Sequence, residues 1–389
     1  MACGTLQQKQ ISIPNPGRDT ANQDALSGVC VYNLLSRRPS GNQPAESFFL
    51  QSDNPISVAV VGVGVFGRNH ARVYKELEQQ GEAVRLVGVV DPNVDRADAV
   101  AREFSCRAFG SVAQMLTTHS EVRAASVAAP TVHHSEVARA LMEEGVDVLV
   151  EKPLAATMAE ADELVQLTAI HKRIAQVGHL ERFNPAVRAT LPLLTHPMFF
   201  EVHRLSVFTP RSLDVDVVLD LMIHDLDIVL SFVKSPVKEV RAVGLPILSG
   251  KVDIANVRLE FESGCVANFT ASRVSTERVR KLRFFQPRQY VSVDYGRQEV
   301  LVFSVGEDGS AAATPSVNPQ IKVGKPPVSS EEPLHAELKS FLQAVRERST
   351  PVVPIEDGRC ALALALEIVD RIREHGKRVG LAGLAKGKS

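Results

Sequence analysis

From position 56 the chain alternates between short apolar runs and longer amphipathic stretches. The runs 56–61, 84–90, 124–129, 146–150 and 174–178 are rich in valine, isoleucine and alanine. Strands covered on both faces read as such near-continuous runs. Between them, apolar positions recur at helical spacing over 66–79, 94–104, 112–117, 133–144 and 158–171. Strands alternating with helices of this length predict a doubly wound parallel sheet over residues 56–178.

After position 178 the pattern changes. A strand is expected over 199–208 and a helix over 214–233, where Leu219, Met222, Ile223, Leu226, Val229 and Leu230 keep helical spacing. The runs 252–261, 265–272, 279–285, 290–294 and 299–303 are short and alternating, with turn signals such as Glu262-Ser263-Gly264 between them. That pattern predicts a mostly antiparallel sheet, and helices over 334–347 and 355–375 follow it. The helices close an α+β domain of 179–380. Residues 306–333, rich in Pro, Ser, Ala and Gly, read as a long loop. Residues 1–55 lack any sustained period and are expected to be a flexible extension, with 381–389 a frayed basic tail.

At 389 residues the chain exceeds one ordinary core, which agrees with two domains. A net charge of −1 exerts no global pull on nucleic acid or an anionic membrane. The five cysteines are scattered without a CxxC pair, which argues against a disulfide framework or a zinc site. No metal is expected. No apolar run reaches the length of a membrane span, and the amino terminus does not read as a secretion signal. Together these point to a cytoplasmic protein.

The first strand runs into Gly62-Val63-Gly64-Val65-Phe66-Gly67, a GxGxxG turn opening a helix. Gly62 permits the tight turn, Gly64 lets a pyrophosphate approach, and Gly67 lets helix and strand pack closely. The second strand ends at Asp91, the acid expected at a ribose diol. Its charge would repel a 2′-phosphate, favouring NAD, although Arg96 nearby leaves NADP open. Glu151-Lys152-Pro153-Leu154 follows the 146–150 strand, and ligands bind at such carboxyl ends. Lys152 is either a solvated loop cation or a cation aimed at cofactor and substrate. His179-Leu180-Glu181-Arg182-Phe183-Asn184-Pro185 crowds polar groups at the end of the last strand. Asn184-Pro185 should start a helix, leaving the preceding residues either in the cleft or as a solvated cap. Asp220 and His224, four apart on the expected helix, would share a face, so the carboxylate could orient a histidine base.

Three of these motifs, in this order and spacing, resemble the glucose–fructose oxidoreductase / inositol dehydrogenase / rhizopine-catabolism (Gfo/Idh/MocA) family. They are the glycine turn, Pro130-Thr131-x-x-His134, and Glu151-Lys152-Pro153-Leu154. The resemblance implies an NAD(P)-dependent sugar or cyclitol oxidoreductase with Lys152 catalytic. It places Val65, Phe66, Pro130, Thr131 and Glu151 beside the cofactor, with His134 either there or capping the helix that follows. Asp220, His224 and Asp227 match the family's Asp-x-x-x-His-x-x-Asp motif, which makes His224 the base. His179, Glu181, Arg182, Phe183, Asn184 and Asp227 are then expected at the substrate, with Arg182 suited to a diphosphate. The stretch 178–185 and Lys281-Leu282-Arg283-Phe284-Phe285-Gln286 are similar to nucleotide-sugar 3-dehydrogenases, those acting on UDP-N-acetylglucosamine for lipid A above all. That likeness implies oxidation of a 3-hydroxyl to a ketone, with an aminotransferase acting next. Alternatives are an inositol, simple-sugar or UDP-hexuronic acid dehydrogenase, or a non-catalytic NAD-binding regulator. A homodimer or homotetramer through the carboxy-terminal sheet is implied by resemblance alone.

Overall fold

The computed structural model describes residues 54–209, 215–305 and 321–380. The expected extension and tail, the start of the 214–233 helix and most of the expected loop therefore lie outside the described residues. The amino-terminal part runs β1 (Ile56–Val61), α1 (Val65–Gln79), β2 (Val84–Val90), α2 (Val94–Phe104), β3 (Arg107–Phe109) and α3 (Val112–Thr118). It continues with β4 (Val122–Val127), α4 (His134–Glu143), β5 (Asp147–Glu151), α5 (Met158–His171) and β6 (Ala175–Gly178). The six strands form one parallel sheet in the order β3-β2-β1-β4-β5-β6. The chain starts in the middle of this sheet and winds outward both ways. The carboxyl ends of β1 and β4 therefore flank the switch point where such folds bind ligands.

The second part holds α6 (Pro185–Thr190), β7 (Phe199–Val207), α7 (Ile223–Phe232), β8 (Val237–Leu245), β9 (Ile254–Phe261), β10 (Val266–Ser275) and β11 (Val279–Gln286). Then come β12 (Gln289–Asp294), β13 (Glu299–Val305), β14 (Ile321–Gly324), α8 (Pro333–Glu347) and α9 (Ile355–Arg378). Its eight strands run β14-β13-β12-β11-β7-β10-β9-β8, antiparallel except for the β7–β10 pair. Alternate residues such as Phe200, Val202, Phe269, Leu282 and Phe284 point inward and pack on α7 and α9. The fold is thus α/β plus α+β, as the pattern predicts. Three strands escape it. Three-residue β3 is too short to show a period, β8 lies outside the runs read as strands, and β14 forms at an edge within the stretch expected to be loop.

The closing helices lock the two parts together. Leu334, Leu338, Phe341, Leu342 and Val345 of α8 bury themselves against β1, β2 and α1. Helix α9 is shared: Ile355 and Leu362 join the parallel-sheet core, while Leu364, Ile368 and Ile372 join the antiparallel one. Among the described residues no helix is long and apolar enough to cross a membrane. Cys106 and Cys265 are free thiols, whereas Cys360 is disulfide-bonded, a cross-link that the scattered spacing does not announce.

Candidate active site

The glycine turn is built as a phosphate cradle. Gly62 has φ of +82°, and a Cβ there would lie 2.5 Å from the Ala129 nitrogen. A Cβ on Gly67 would lie 1.8 Å from the Gly62 carbonyl oxygen, so α1 can approach β1 only without one. Gly64 is different: nothing lies within 4 Å of an added Cβ, and it caps α1 without any side-chain bond. The first N–H groups of α1 therefore face open space, where the helix dipole favours an anion. Asp91 at the end of β2 accepts from the Val63 N–H at 3.0 Å, the Asn93 N–H at 2.9 Å and Arg96 Nη1 at 3.3 Å. Cradle, helix end and strand-end carboxylate fit a dinucleotide, whose nicotinamide supplies the hydride acceptor.

At the carboxyl end of β5, Glu151 turns inward. Its carboxylate meets His70 Nε2 of α1 at 3.0 Å and accepts from the Lys152 N–H at 3.3 Å. Burial pushes the Glu151 pKa up, but the bond and charge of His70, with Lys152, pull it below the ordinary value. The Lys152–Pro153 peptide is cis. His134 is buried between two loops, with Nδ1 2.9 Å from the Pro153 carbonyl and Nε2 2.8 Å from that of Ala129. Burial lowers its pKa, and the two carbonyls oppose that shift. His134 thus ties the Lys152 turn to the end of β4, with Pro130 and Thr131 alongside.

Lys152 Nζ donates to the main-chain carbonyl of Asp220 at 2.8 Å and lies 3.8 Å from its carboxylate. Burial lowers the lysine pKa, and Asp220 and Glu151 oppose that shift. Here the structure departs from the expected helix. Residues Val218–Met222 form a π turn, and only Ile223 onward is α-helical. The wider turn breaks the i, i+4 alignment of Asp220 with His224. His224 Nδ1 is buried without a partner, so Asp220 does not orient the base by hydrogen bonding to it; its carboxylate serves Lys152 instead. Burial drives the His224 pKa well down, helped by the positive charges of Lys152 and Arg204. Such a ring stays neutral at physiological pH, which leaves a nitrogen lone pair available.

The expected substrate set divides. His179 is buried with both ring nitrogens unpartnered, and burial lowers its pKa. Glu181 accepts from Arg204 Nη1 at 3.0 Å and from Asn184 at 3.0 Å. The others serve the fold. Arg182 grips Asp227 through two bonds of 2.6 and 2.8 Å and also reaches Asp357 at 3.1 Å. Phe183 packs in the parallel-sheet core beside Leu154 and Val177. Asn184 caps α6 through the Ala186 N–H at 3.0 Å and binds the Tyr295 carbonyl at 3.2 Å. Asp227 is buried and committed to Arg182. Arg182, Phe183, Asn184 and Asp227, expected at the substrate, thus each make contacts within the chain.

Sequence reasoning missed His70 and Arg204. His70 lies on the apolar face of α1 with Val73, Tyr74 and Leu77, where it reads as a core residue. Arg204 occupies an inward position of β7, in line with Phe200 and Val202, and pairs with Asp225 at 2.6 and 2.9 Å. A charge on an apolar inward row was the available signal.

A dinucleotide cradle, a lysine at its inner end and two unpartnered imidazoles define a nicotinamide-dependent oxidoreductase. The "oxidoreductase family, NAD-binding Rossmann fold" model matches residues 56–179 and the "GFO/IDH/MocA C-terminal domain" model residues 196–292. The chain is 36% identical, over 80% of its length and 96% of the relative's, to UDP-N-acetylglucosamine 3-dehydrogenase of Acidithiobacillus ferrooxidans. A solved structure of that enzyme has a TM-score of 0.74 at 34% identity, covering 82% of this chain and 97% of the other. The scyllo-inositol 2-dehydrogenase (NAD(+)) of Bacillus subtilis is 28% identical over 57% of this chain and 69% of its own. The chain belongs to the Gfo/Idh/MocA family of NAD-dependent oxidoreductases.

Proposed function

We propose that this enzyme oxidises the 3-hydroxyl of a UDP-N-acetylhexosamine, UDP-N-acetylglucosamine first, to the 3-keto sugar. The observation that carries the chemistry is the meeting of Lys152, its amine held by Asp220, with an unpartnered His224 in one cleft. The choice of sugar is supported by the 36% identity to a UDP-N-acetylglucosamine 3-dehydrogenase over nearly all of that enzyme.

Gly62, Gly64, Val65, Phe66, Gly67 and Asp91 hold the dinucleotide, and NAD when bound accepts the hydride. Lys152 directs its ammonium at the reacting oxygen and stabilises negative charge as it develops. His224 takes the hydroxyl proton, a contribution of about 10²–10⁴-fold. Asp220 holds Lys152 through its carbonyl and favours the charged amine through its carboxylate. His179, unpartnered in the same cleft, is left for a sugar hydroxyl or carbonyl. The ketone product is a substrate for an aminotransferase, and that sequence leads to a 3-amino sugar of the kind used in lipid A.

Assembly as a homodimer or homotetramer through the open face of the antiparallel sheet belongs to the same reading. Phe199, Phe285, Tyr290 and Phe303 form a half-buried aromatic ladder across β7, β11, β12 and β13, with centroid spacings of 5.5, 4.8 and 5.2 Å. Such a row offers a second copy a large contact area at low entropic cost. The functional test is NADH formation with a panel of nucleotide sugars, free sugars and inositols, coupled to a glutamate-dependent aminotransferase. UDP-N-acetylglucosamine should give NADH and a 3-amino product. NADH with inositol alone would transfer the assignment to the cyclitol branch of the family.

A further inference from the structure

Arg182, the arginine whose position suggested a phosphate contact, is consumed by Asp227 and Asp357. A diphosphate entering the cleft must find its cation elsewhere. On β11, Leu282, Phe284 and Gln286 are buried on the inward face, and Arg280 continues that same row beyond the core. The register sets Arg280 directly opposite Arg204 of β7. Residues so paired on one face have Cβ atoms about 4.5–5.5 Å apart, and like charges there are destabilising.

The two arginines are treated differently. Arg204 is buried and neutralised by Asp225 and Glu181. Arg280 is exposed, and among the described residues neither it nor Arg278, two positions earlier, has an ion-pair or hydrogen-bond partner. Arg280 stands opposite the arginine that holds Asp225, the residue next to His224, and its charge is felt at both. Glu181 and Asp225 also face Arg280, but their short bonds go to Arg204. A cation left unneutralised beside a cleft, with a second one two residues away, suits a ligand carrying at least two negative charges. Guanidinium forks match phosphate oxygens in geometry and charge.

We infer that Arg280, with Arg278, forms the diphosphate subsite of the cleft and anchors a nucleotide sugar so that its ring reaches Lys152 and His224. The inference rests on the nucleotide-sugar reading and adds to it the residues that bind the linking phosphates. Arg283 on the outward face of the same strand, 3.8 Å from Glu201, is the internal control.

The test is calorimetric titration of the full-length enzyme with UDP and with uridine, alongside steady-state kinetics. Wild type should bind UDP well above uridine. Arg280→Gln should weaken UDP about 10- to 100-fold, leave uridine unchanged, and raise KM for UDP-N-acetylglucosamine far more than it lowers kcat. Arg278→Gln/Arg280→Gln should bring UDP close to uridine, and Arg283→Gln should match wild type. NADH binding reports that each variant is folded. Wild-type UDP affinity in a folded Arg280→Gln enzyme that still oxidises UDP-N-acetylglucosamine would overturn the subsite alone. A wild-type enzyme that neither binds UDP nor oxidises any UDP-sugar would overturn the substrate reading, and the subsite with it.

Discussion

The Nζ of Lys152 donates to the main-chain carbonyl of Asp220 at 2.8 Å, while the Asp220 carboxylate stands 3.8 Å from the same nitrogen. One residue of the antiparallel-sheet domain thus fixes the position of the lysine and biases its charge. The lysine belongs to the dinucleotide domain, so this contact joins the two halves of the site. It occurs at a π turn, where the backbone leaves the regular i−4 ladder and such interruptions cluster at functional sites.

Replacing Asp220 by Asn keeps the carbonyl and removes the charge. Burial already lowers the Lys152 pKa, and Asp220 opposes that shift. Without it the lysine loses its proton at lower pH. The alkaline limb of the kcat profile should therefore move to lower pH, with the acid limb unchanged. A profile identical to wild type would show that the carboxylate does not set the charge of Lys152.

Cofactor choice should follow Asp91. Its carboxylate holds the Val63 N–H of the glycine turn and faces Arg96. Asp91→Ser removes the charge that repels a 2′-phosphate, a like-charge effect worth several kcal/mol. The ratio of kcat/KM for NAD to that for NADP should fall at least about 10-fold. An unchanged ratio would place the discrimination elsewhere.

Glu337 of α8 supplies a stability prediction. It is buried with neither carboxylate oxygen bonded, and burial, with the charge of Glu151, drives its pKa well above the ordinary value. Between its unfolded and folded pKa the folded protein holds the extra proton, so this group makes stability fall as pH rises. Glu337→Gln removes that dependence. The variant should be more stable than wild type at pH 8, by about 1–3 kcal/mol, with the gain shrinking toward pH 4. Thermal melts at several pH values measure the difference; a gain independent of pH would contradict a neutral buried acid.

Lys152→Ala and His224→Ala should each bind NADH as wild type does and lose turnover by roughly 10²–10⁴-fold. Fluorescence titration and initial rates separate the two effects. Full turnover in either variant would remove that residue from the chemistry.

Much of this was legible in the sequence because the parallel strands are covered on both faces and advertise it as apolar runs. The glycine turn and the Lys152 tetrapeptide are local, so reading them needed no partner. The π turn was invisible: Leu219, Met222 and Ile223 keep helical spacing whether the turn holds four residues or five. The fate of Arg182 was hidden too, since Asp357 lies 175 positions away and only the folded chain brings it near. Arg280 is silent in the sequence for a related reason, because its meaning depends on standing opposite Arg204 in the sheet.

The most direct test of the account is the origin of the hydride. UDP-N-acetylglucosamine deuterated at C3 is mixed with NAD and enzyme, and the reduced nicotinamide is analysed by mass spectrometry. Deuterium in the nicotinamide is the predicted result. Turnover of that sugar with no deuterium transferred, or no turnover of it beside rapid oxidation of an inositol, would contradict the assignment.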